Sequence, residues 1–201
     1  MHTIVWDRDD VLNDLMHCWL EQWWRPAHPE CKVSYEDLSE NPPHRILNID
    51  LKAYLRSLDD FRLSKPATQM EPLPEVLSWF RKFGHMCRHV ALTATPVDTA
   101  PAAAEWTFRH FGVWIRSFHF VPSIRNGQSI PQYDADKGAY LHWLGKGDIV
   151  VDDSTTNLQS VSQYGVSGVL IPRPWNGNRA SIADALDHLS TKLGLQDSRW
   201  T

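Results

Sequence analysis

The residues with the clearest chemical potential lie near the N-terminus, where three acids follow a short apolar run. Residues 3–6 are Thr, Ile, Val and Trp, a composition typical of a buried strand, and Asp7, Asp9 and Asp10 follow at once. In open α/β sheets ligands bind beyond the carboxyl ends of the strands, so we expect Asp7 and Asp9 to face a crevice there. Two carboxylates this close repel each other unless a cation or a shared proton compensates. An acidic turn without function is the alternative.

Polar residues also follow the later predicted strands. Thr93 comes after an apolar run at 89–92, Lys137 begins a short helix, and Asp152 and Asp153 follow an apolar run at 148–151. Taken singly, such residues are more often turn, cap or solvated side chains. Four such positions in order, each beside a strand or a short helix, favour one shared site.

These four segments resemble the four motifs of the haloacid dehalogenase (HAD) superfamily of phosphotransferases and phosphatases. The resemblance implies that Asp7 is the nucleophile and Asp9 the general acid and base. It also implies that the Thr93 hydroxyl binds the phosphoryl oxygens and that Lys137 neutralises the phosphate and Asp7. The catalytic set is then Asp7, Asp9, Thr93 and Lys137, and the reaction is phosphomonoester hydrolysis through an aspartyl phosphate.

A magnesium ion fits this chemistry on physical grounds. A nucleophile that approaches a phosphate dianion needs positive charge nearby, and Mg²⁺ prefers oxygen ligands. We expect the metal ligands to be Asp7, the backbone carbonyl of Asp9, and Asp152 or Asp153. Of the last two, one would bind the metal directly and the other through water.

Three features resemble the deoxyribonucleotidase branch of the superfamily, the C-type 5'-nucleotidases. A helical segment at 16–72 follows the first motif, where the superfamily carries a small cap. Residues 92–96 are Leu-Thr-Ala-Thr-Pro and residues 174–176 are Pro-Trp-Asn. The implied substrate is a deoxyribo- or ribonucleoside monophosphate. The cap residues Trp19, Trp23 and Trp24 are candidates for stacking on a base, although packing is the commoner role of such residues.

Two other functions stay open. One is the same chemistry on a non-nucleotide phosphate ester, such as a sugar or hydroxy-acid phosphate. The other is a non-catalytic phosphate-binding protein that has kept the scaffold; we rank it lowest because no motif residue is missing.

Composition excludes several classes of protein. A net charge of -4 over 201 residues argues against binding a nucleic acid polymer. The cysteines Cys18, Cys31 and Cys87 are odd in number and far apart, which predicts free thiols in a cytoplasmic protein. No apolar run is long enough to predict a membrane span. Exposed aromatic residues on the cap would be compatible with a homodimer.

The elements that must position these residues alternate between strands and helices. This order predicts an α/β fold: a Rossmann-like parallel sheet with helices on both faces and a small helical cap inserted after the first strand. The core would comprise 1–15 and 73–201, and the cap 16–72. Strands are predicted at 3–6, 89–92, 118–121, 148–151 and 166–171, helices at 11–24, 75–83, 102–111, 137–144 and 181–193, amphipathic segments at 46–58 and 73–83, and a turn at 125–127.

Overall fold

The computed structural model describes residues 1–125 and 127–196. These residues contain one sheet of five parallel strands in the order β3-β2-β1-β4-β5. The strands are β1 (Thr3–Trp6), β2 (Arg88–Thr95), β3 (Ile115–Pro122), β4 (Ile149–Asp152) and β5 (Ser167–Leu170). The α/β fold with a Rossmann-like parallel sheet is therefore confirmed.

Helices cover both faces of the sheet. The α-helices are α1 (Leu15–Trp19), α2 (Arg25–Ala27), α3 (Leu51–Arg62), α4 (Lys65–Thr68), α5 (Pro74–Phe83), α6 (Ala100–Phe111), α7 (Lys137–Leu144), α8 (Thr155–Ser162) and α9 (Ile182–Lys192). Because alternate residues of β1 point to opposite sides, Ile4 and Trp6 belong to one apolar cluster with residues of α5, α6 and α9, whereas Val5 belongs to another with residues of α7 and α8. No helix in the described residues is both long and apolar enough to cross a membrane.

Strand β1 lies in the centre of the sheet, between β2 and β4, and the order in which later strands are added reverses there: β2 and β3 lie on one side, β4 and β5 on the other. In open α/β sheets such a reversal creates the crevice in which ligands bind. Asp7 follows β1 directly, and its backbone N–H donates to the Val151 carbonyl at 2.9 Å. The chain therefore places Asp7 beside the end of β4, next to Asp152.

The first helix begins later than the periodicity of residues 11–24 predicts. Residues 9–13 form a tight turn in which the Arg8 carbonyl accepts N–H bonds from Val11, Leu12 and Asn13. Asp10 adopts a positive φ of 60°, which ends the extended chain after β1 and starts this turn. The helix then starts at Leu15 and widens into a π-helical segment over Leu20–Trp24.

Other boundaries differ by a few residues. Strand β2 runs to Thr95, so Thr93 lies inside the strand and not after it. Helix α3 begins at Leu51, where the Asp50 carboxylate accepts from the Ala53 N–H at 3.0 Å. Asp136 caps α7 by accepting from the Ala139 N–H. The turn predicted at 125–127 includes Asn126, which lies outside the described residues.

Residues 15–70 have an apolar cluster of their own, separate from the two clusters on the sheet. Trp19 and Trp24 are buried in this cluster, and the Trp19 indole donates to the Ser57 hydroxyl at 3.2 Å. Trp23 is half-buried and packs on Phe61. The tryptophans of this segment therefore stabilise its interior, and exposed cap aromatics, the basis for expecting a homodimer, are absent from the described residues.

Gly138 lies where α7 and α8 pack closely against each other. A Cβ atom at this position would lie 2.2 Å from the Ser160 hydroxyl oxygen and 2.7 Å from the Ser160 backbone carbonyl. Helix propensity alone predicts that Gly138→Ala stabilises the protein by about 1 kcal/mol. Because overpacking of this kind costs roughly 1–3 kcal/mol, we expect a net destabilisation instead.

Urea unfolding of the wild type and Gly138→Ala measures the difference. A Gly138→Ala/Ser160→Ala double variant removes the hydroxyl clash and leaves the backbone clash, so it should recover only part of the loss. A more stable Gly138→Ala protein would show that the helices can separate at little cost.

Candidate active site

Lys137 connects the first predicted motif to the last. Its ammonium group lies 2.7 Å from Asp7 Oδ2 and 2.7 Å from Asp152 Oδ2, and all three side chains are buried. Lys137 is the first residue of α7, so the start of this helix sets the position of the charge. Burial opposes a charged lysine, but the two carboxylates outweigh it and the pKa of Lys137 is raised. The lysine therefore stays charged between two acids.

Asp152 has its hydrogen-bonding capacity filled by the protein. Its carboxylate accepts from Lys137, from the Ser154 N–H at 2.8 Å, and from the Asn157 amide at 3.0 and 3.1 Å. The side chain is fully buried at the end of β4. Asn157, on α8, thus orients this carboxylate, and no spacing in the sequence identifies it as a residue of the site.

Asp153 is positioned by the segment that follows β5. The Trp175 indole N–H donates to Asp153 Oδ2 at 2.7 Å, and the Asn176 amide donates to the Asp153 carbonyl at 2.9 Å. The Pro174–Asn176 segment is a short 3₁₀ helix. The Pro-Trp-Asn stretch, which suggested a nucleotidase, therefore acts here as a support for an acid at the sheet edge.

The three acids Asp7, Asp152 and Asp153 form a cluster in which one oxygen of each lies within 4.8 Å of the others. Among the ion pairs of the described residues, only Lys137 neutralises this cluster. Burial raises the pKa of Asp7 to about 6, against the opposing effect of Lys137, and burial with the neighbouring Asp152 raises the pKa of Asp153. An excess of buried negative charge on hard oxygen donors is what a magnesium ion requires, so these residues fit the metal.

Asp9 has different surroundings, because two guanidinium groups bind it. Arg8 pairs with Asp9 Oδ1, and Arg62, from the end of α3, donates to Asp9 Oδ2 at 3.3 Å through Nε and at 3.1 Å through Nη2. Burial raises the pKa of Asp9, but Arg8 and Arg62 outweigh it and the net pKa is lowered. Arg62 is distant in sequence from the motifs, so no spacing rule identified it.

The cavity beside these residues is small, about 160 Å³. Thr93 lines it and is buried within β2, so the structure brings Asp7, Asp9, Thr93 and Asp153 to one cavity. Arg62 also lines it, whereas Trp19, Trp23 and Trp24 do not. Pockets for drug-sized ligands measure roughly 300–1,000 Å³, so this cavity suits a smaller molecule.

Arg173 stabilises the turn that carries the first motif. Its guanidinium donates to the Asp10 carbonyl at 2.7 Å and to Asp14 Oδ1 at 2.9 Å. The Asp10 carboxylate accepts from the Met16 N–H at 2.9 Å. Burial raises the pKa of Asp10 to about 7, although Arg173 opposes the rise. The positive φ of Asp10 is therefore held from both sides.

Solved structures share this fold. A HAD-like hydrolase from Streptococcus pneumoniae has 10% sequence identity and a TM-score of 0.62, with 96% of this chain and 98% of that chain covered. A protein assigned as a β-phosphoglucomutase from Thermotoga maritima has 16% identity and a TM-score of 0.54, covering 95% and 99%. One assigned as a phosphoglycolate phosphatase from Lactobacillus delbrueckii subsp. bulgaricus has 11% identity and a TM-score of 0.57, covering 94% and 97%.

At these identities the likeness concerns the fold. It is the fold of HAD-superfamily hydrolases, and none of these three neighbours is described as a nucleotidase. No protein-family model matches the sequence, and no curated protein matches it.

The raised pKa of Asp7 predicts a pH-dependent cost of burying this acid when metal is removed. Between the unfolded pKa of 3.8 and the folded pKa of about 6, the folded protein binds more protons at Asp7 than the unfolded chain does. The contribution of Asp7 to the free energy of unfolding is therefore complete below pH 3.8 and lost as the pH rises through 6. A shift of this size corresponds to roughly 3 kcal/mol.

A buried histidine has the opposite effect on stability. Burial lowers the pKa of His89 to about 4, so the contribution of His89 to the free energy of unfolding increases as the pH rises. The measurement is therefore the difference in unfolding free energy between the wild type and Asp7→Asn, by urea titration in chelator at several pH values. We expect Asp7→Asn to gain stability relative to the wild type as the pH rises from 4 to 7. A constant difference would contradict the raised pKa.

Proposed function

We propose that this protein is a magnesium-dependent phosphomonoester hydrolase that works through an aspartyl-phosphate intermediate. The observation that carries the proposal is the buried cluster of Asp7, Asp152 and Asp153, in which a single lysine pairs with Asp7 and Asp152. It lies at the carboxyl edge of a sheet whose fold is that of HAD hydrolases. Arrangements of this kind match phosphoryl transfer, in which positioning and charge neutralisation dominate.

The residues that would hold the metal follow from their existing contacts. Asp153 lines the cavity and has one carboxylate oxygen free of the Trp175 bond, so it would bind Mg²⁺ directly together with Asp7 and the Asp9 carbonyl. Asp152 is saturated by Lys137, Ser154 and Asn157, so it would act through water. The bound metal would supply the positive charge that lets a carboxylate approach a phosphate dianion.

The protein's own residues would carry out two displacements. In the first, an Asp7 oxygen attacks phosphorus and the bond to the ester oxygen breaks. Because Arg8 and Arg62 favour the ionised form of Asp9, Asp9 would take up a proton as the substrate binds and give it to the leaving oxygen. In the second, Asp9 takes a proton from water, the water oxygen bonds to phosphorus, and the bond from phosphorus to Asp7 breaks, so that free phosphate leaves. Lys137 and Thr93 would neutralise and orient the phosphoryl oxygens throughout.

For the substrate we favour a small non-nucleotide phosphate ester. The cavity of about 160 Å³ is the supporting observation, because a nucleoside monophosphate would need the 16–72 segment to move away. A nucleoside monophosphate is the second candidate, since residues 92–96 and 174–176 resemble those of deoxyribonucleotidases. We take 16–72 as the cap that encloses the site.

The cellular setting is part of the same proposal. The three cysteines are free thiols, which is the usual state in the cytoplasm. The expected partner is a small phosphate ester, with no role for a nucleic acid polymer or a membrane. The binding-protein alternative is disfavoured because every proposed catalytic side chain lies at or beside one cavity.

The first test is phosphate release, with and without Mg²⁺, from hydroxy-acid phosphates, sugar phosphates and nucleoside monophosphates. We expect magnesium-dependent hydrolysis that favours the small esters, and its loss in Asp7→Asn. The variant should stay folded, because asparagine has nearly the same shape and Lys137 keeps Asp152 as a partner. Full activity of Asp7→Asn would refute the nucleophile, and a preference for nucleotides would support the second candidate.

Trp175 offers a separate test of the metal ligands. Trp175→Phe removes the indole N–H that orients Asp153, and loss of such supporting bonds typically weakens metal binding 10–100-fold. We therefore expect the Mg²⁺ concentration for half-maximal activity to rise by at least about tenfold. The matched control is Trp143→Phe, since Trp143 is 71% exposed on α7 and should leave the requirement unchanged. Equal Mg²⁺ requirements for the two variants would remove Asp153 from the metal site.

A further inference from the structure

We propose that Arg62 is a specificity residue that binds a carboxylate on the leaving portion of the substrate. This inference rests on the proposed function, since it takes Asp7 to bind the phosphoryl group. It narrows the substrate to small phosphate esters of carboxylic acids. Arg62 forms ion pairs with Asp9 and Asp59, and this group of ion pairs has an excess of positive charge.

Arg62 is the last residue of α3 and reaches from the cap into the same cavity as Asp7. Besides its two bonds to Asp9, it donates through Nη1 to Asp59 Oδ1 at 2.9 Å. Its side chain is only 11% exposed. The guanidinium group thus joins two carboxylates and still borders the cavity.

Each of these carboxylates has a second guanidinium partner. Arg8 pairs with Asp9, and Arg125, from the segment after β3, donates to Asp59 at 2.6 and 2.9 Å. If Arg62 turned toward a ligand, neither acid would be left unpaired. Arg62 can therefore exchange partners without the cost of an orphaned buried charge.

The same network has more positive than negative charge. Among the described ion pairs, three guanidinium groups, those of Arg8, Arg62 and Arg125, share the two carboxylates of Asp9 and Asp59. Within these ion pairs there is thus one more guanidinium than carboxylate, and none of the five side chains is more than 20% exposed. An anionic ligand group would complete it, and guanidinium binds a carboxylate through two parallel hydrogen bonds.

The position of Arg62 indicates that it would bind the leaving portion of the substrate and not the phosphoryl group. Lys137, Thr93 and Asp7 belong to the sheet and α7, whereas Arg62 enters from α3 and contacts Asp9. In the proposed reaction Asp9 faces the leaving oxygen, so Arg62 lies next to whatever that oxygen carries. The small cavity favours a compact, planar carboxylate.

The test compares two nonhydrolysable ligands that differ by one charge. Phosphonoacetate carries a phosphonate and a carboxylate, and phosphonoacetamide replaces the carboxylate by a neutral amide of nearly the same shape. Calorimetry with Mg²⁺ gives both affinities for the wild type, Arg62→Gln, Arg62→Lys and Arg56→Gln. Arg56 is an exposed arginine on the same helix that lines no part of the cavity, so it is the matched control.

We expect the wild type and Arg56→Gln to prefer phosphonoacetate by about tenfold or more, as for a hydrogen-bonded charge pair. Arg62→Gln should lose this preference, and Arg62→Lys should keep part of it because it retains the charge without the bidentate geometry. Any chelation of Mg²⁺ by the carboxylate is the same for all four proteins, so the comparison between them isolates Arg62. If Arg62→Gln fails to fold, as judged by urea unfolding, Arg62→Lys decides.

Three results would overturn the inference. They are a wild type without preference, an Arg62→Gln protein that keeps the preference, and an equal loss of affinity for both ligands, which would assign Arg62 to the phosphoryl group. The proposed function fails in a different way: no ester would release phosphate. A carboxylate preference that depends on Arg62 would then still support the binding site.

Discussion

The structure depends on burying three carboxylates around one lysine. Like charges in a medium of low polarity repel strongly, and Lys137 offsets only part of that repulsion between Asp7 and Asp152. The remainder appears as raised pKa values at Asp7 and Asp153. A fold that keeps such a cluster must position each acid rigidly, and the ends of β1 and β4, the start of α7 and the Trp175 indole do so. A cation that joins the cluster removes the repulsion, which is why we regard it as a metal site.

A second charged network borders the same cavity with the opposite sign. Arg62 brings α3 against Asp9, while Arg8 and Arg125 neutralise the carboxylates that Arg62 shares. The acid-rich cluster lies at the edge of the sheet, and the guanidinium-rich network joins that edge to α3. Under the proposed function, this division suits a substrate with two anionic ends: a phosphoryl group at a metal bound by the acid cluster, and a carboxylate beside Arg62.

The proposed substrate class shows how one motif can have two explanations. Pro174, Trp175 and Asn176 resemble a stretch of deoxyribonucleotidases, yet in this structure they orient Asp153. Such a stretch would be useful to any phosphatase with an acid at this position, whatever its substrate. The tryptophans of α1 and the π-helical segment likewise pack inside the apolar cluster of residues 15–70, as amphipathic spacing favours. The shape and charge of the cavity therefore guide the substrate proposal more directly than these motifs do.

The sequence by itself determined the order along the chain of the residues that could do chemistry: an acid pair after the first strand, a threonine near the end of the second, a lysine at the start of α7 and two acids at the end of β4. It placed the threonine just after its strand, whereas the structure has it inside β2. These signals are local, because apolar runs, N-caps and 3.6-residue periodicity depend on neighbours in the chain, and α7 was predicted at its exact bounds. Only the tertiary structure decided where the first helix begins, since the tight turn at Asp10 depends on Arg173, more than 150 residues away. It also decided the partners of Asp9 and Asp153. Arg62 and Trp175 meet these acids through packing across the fold, and no local spacing encodes such contacts.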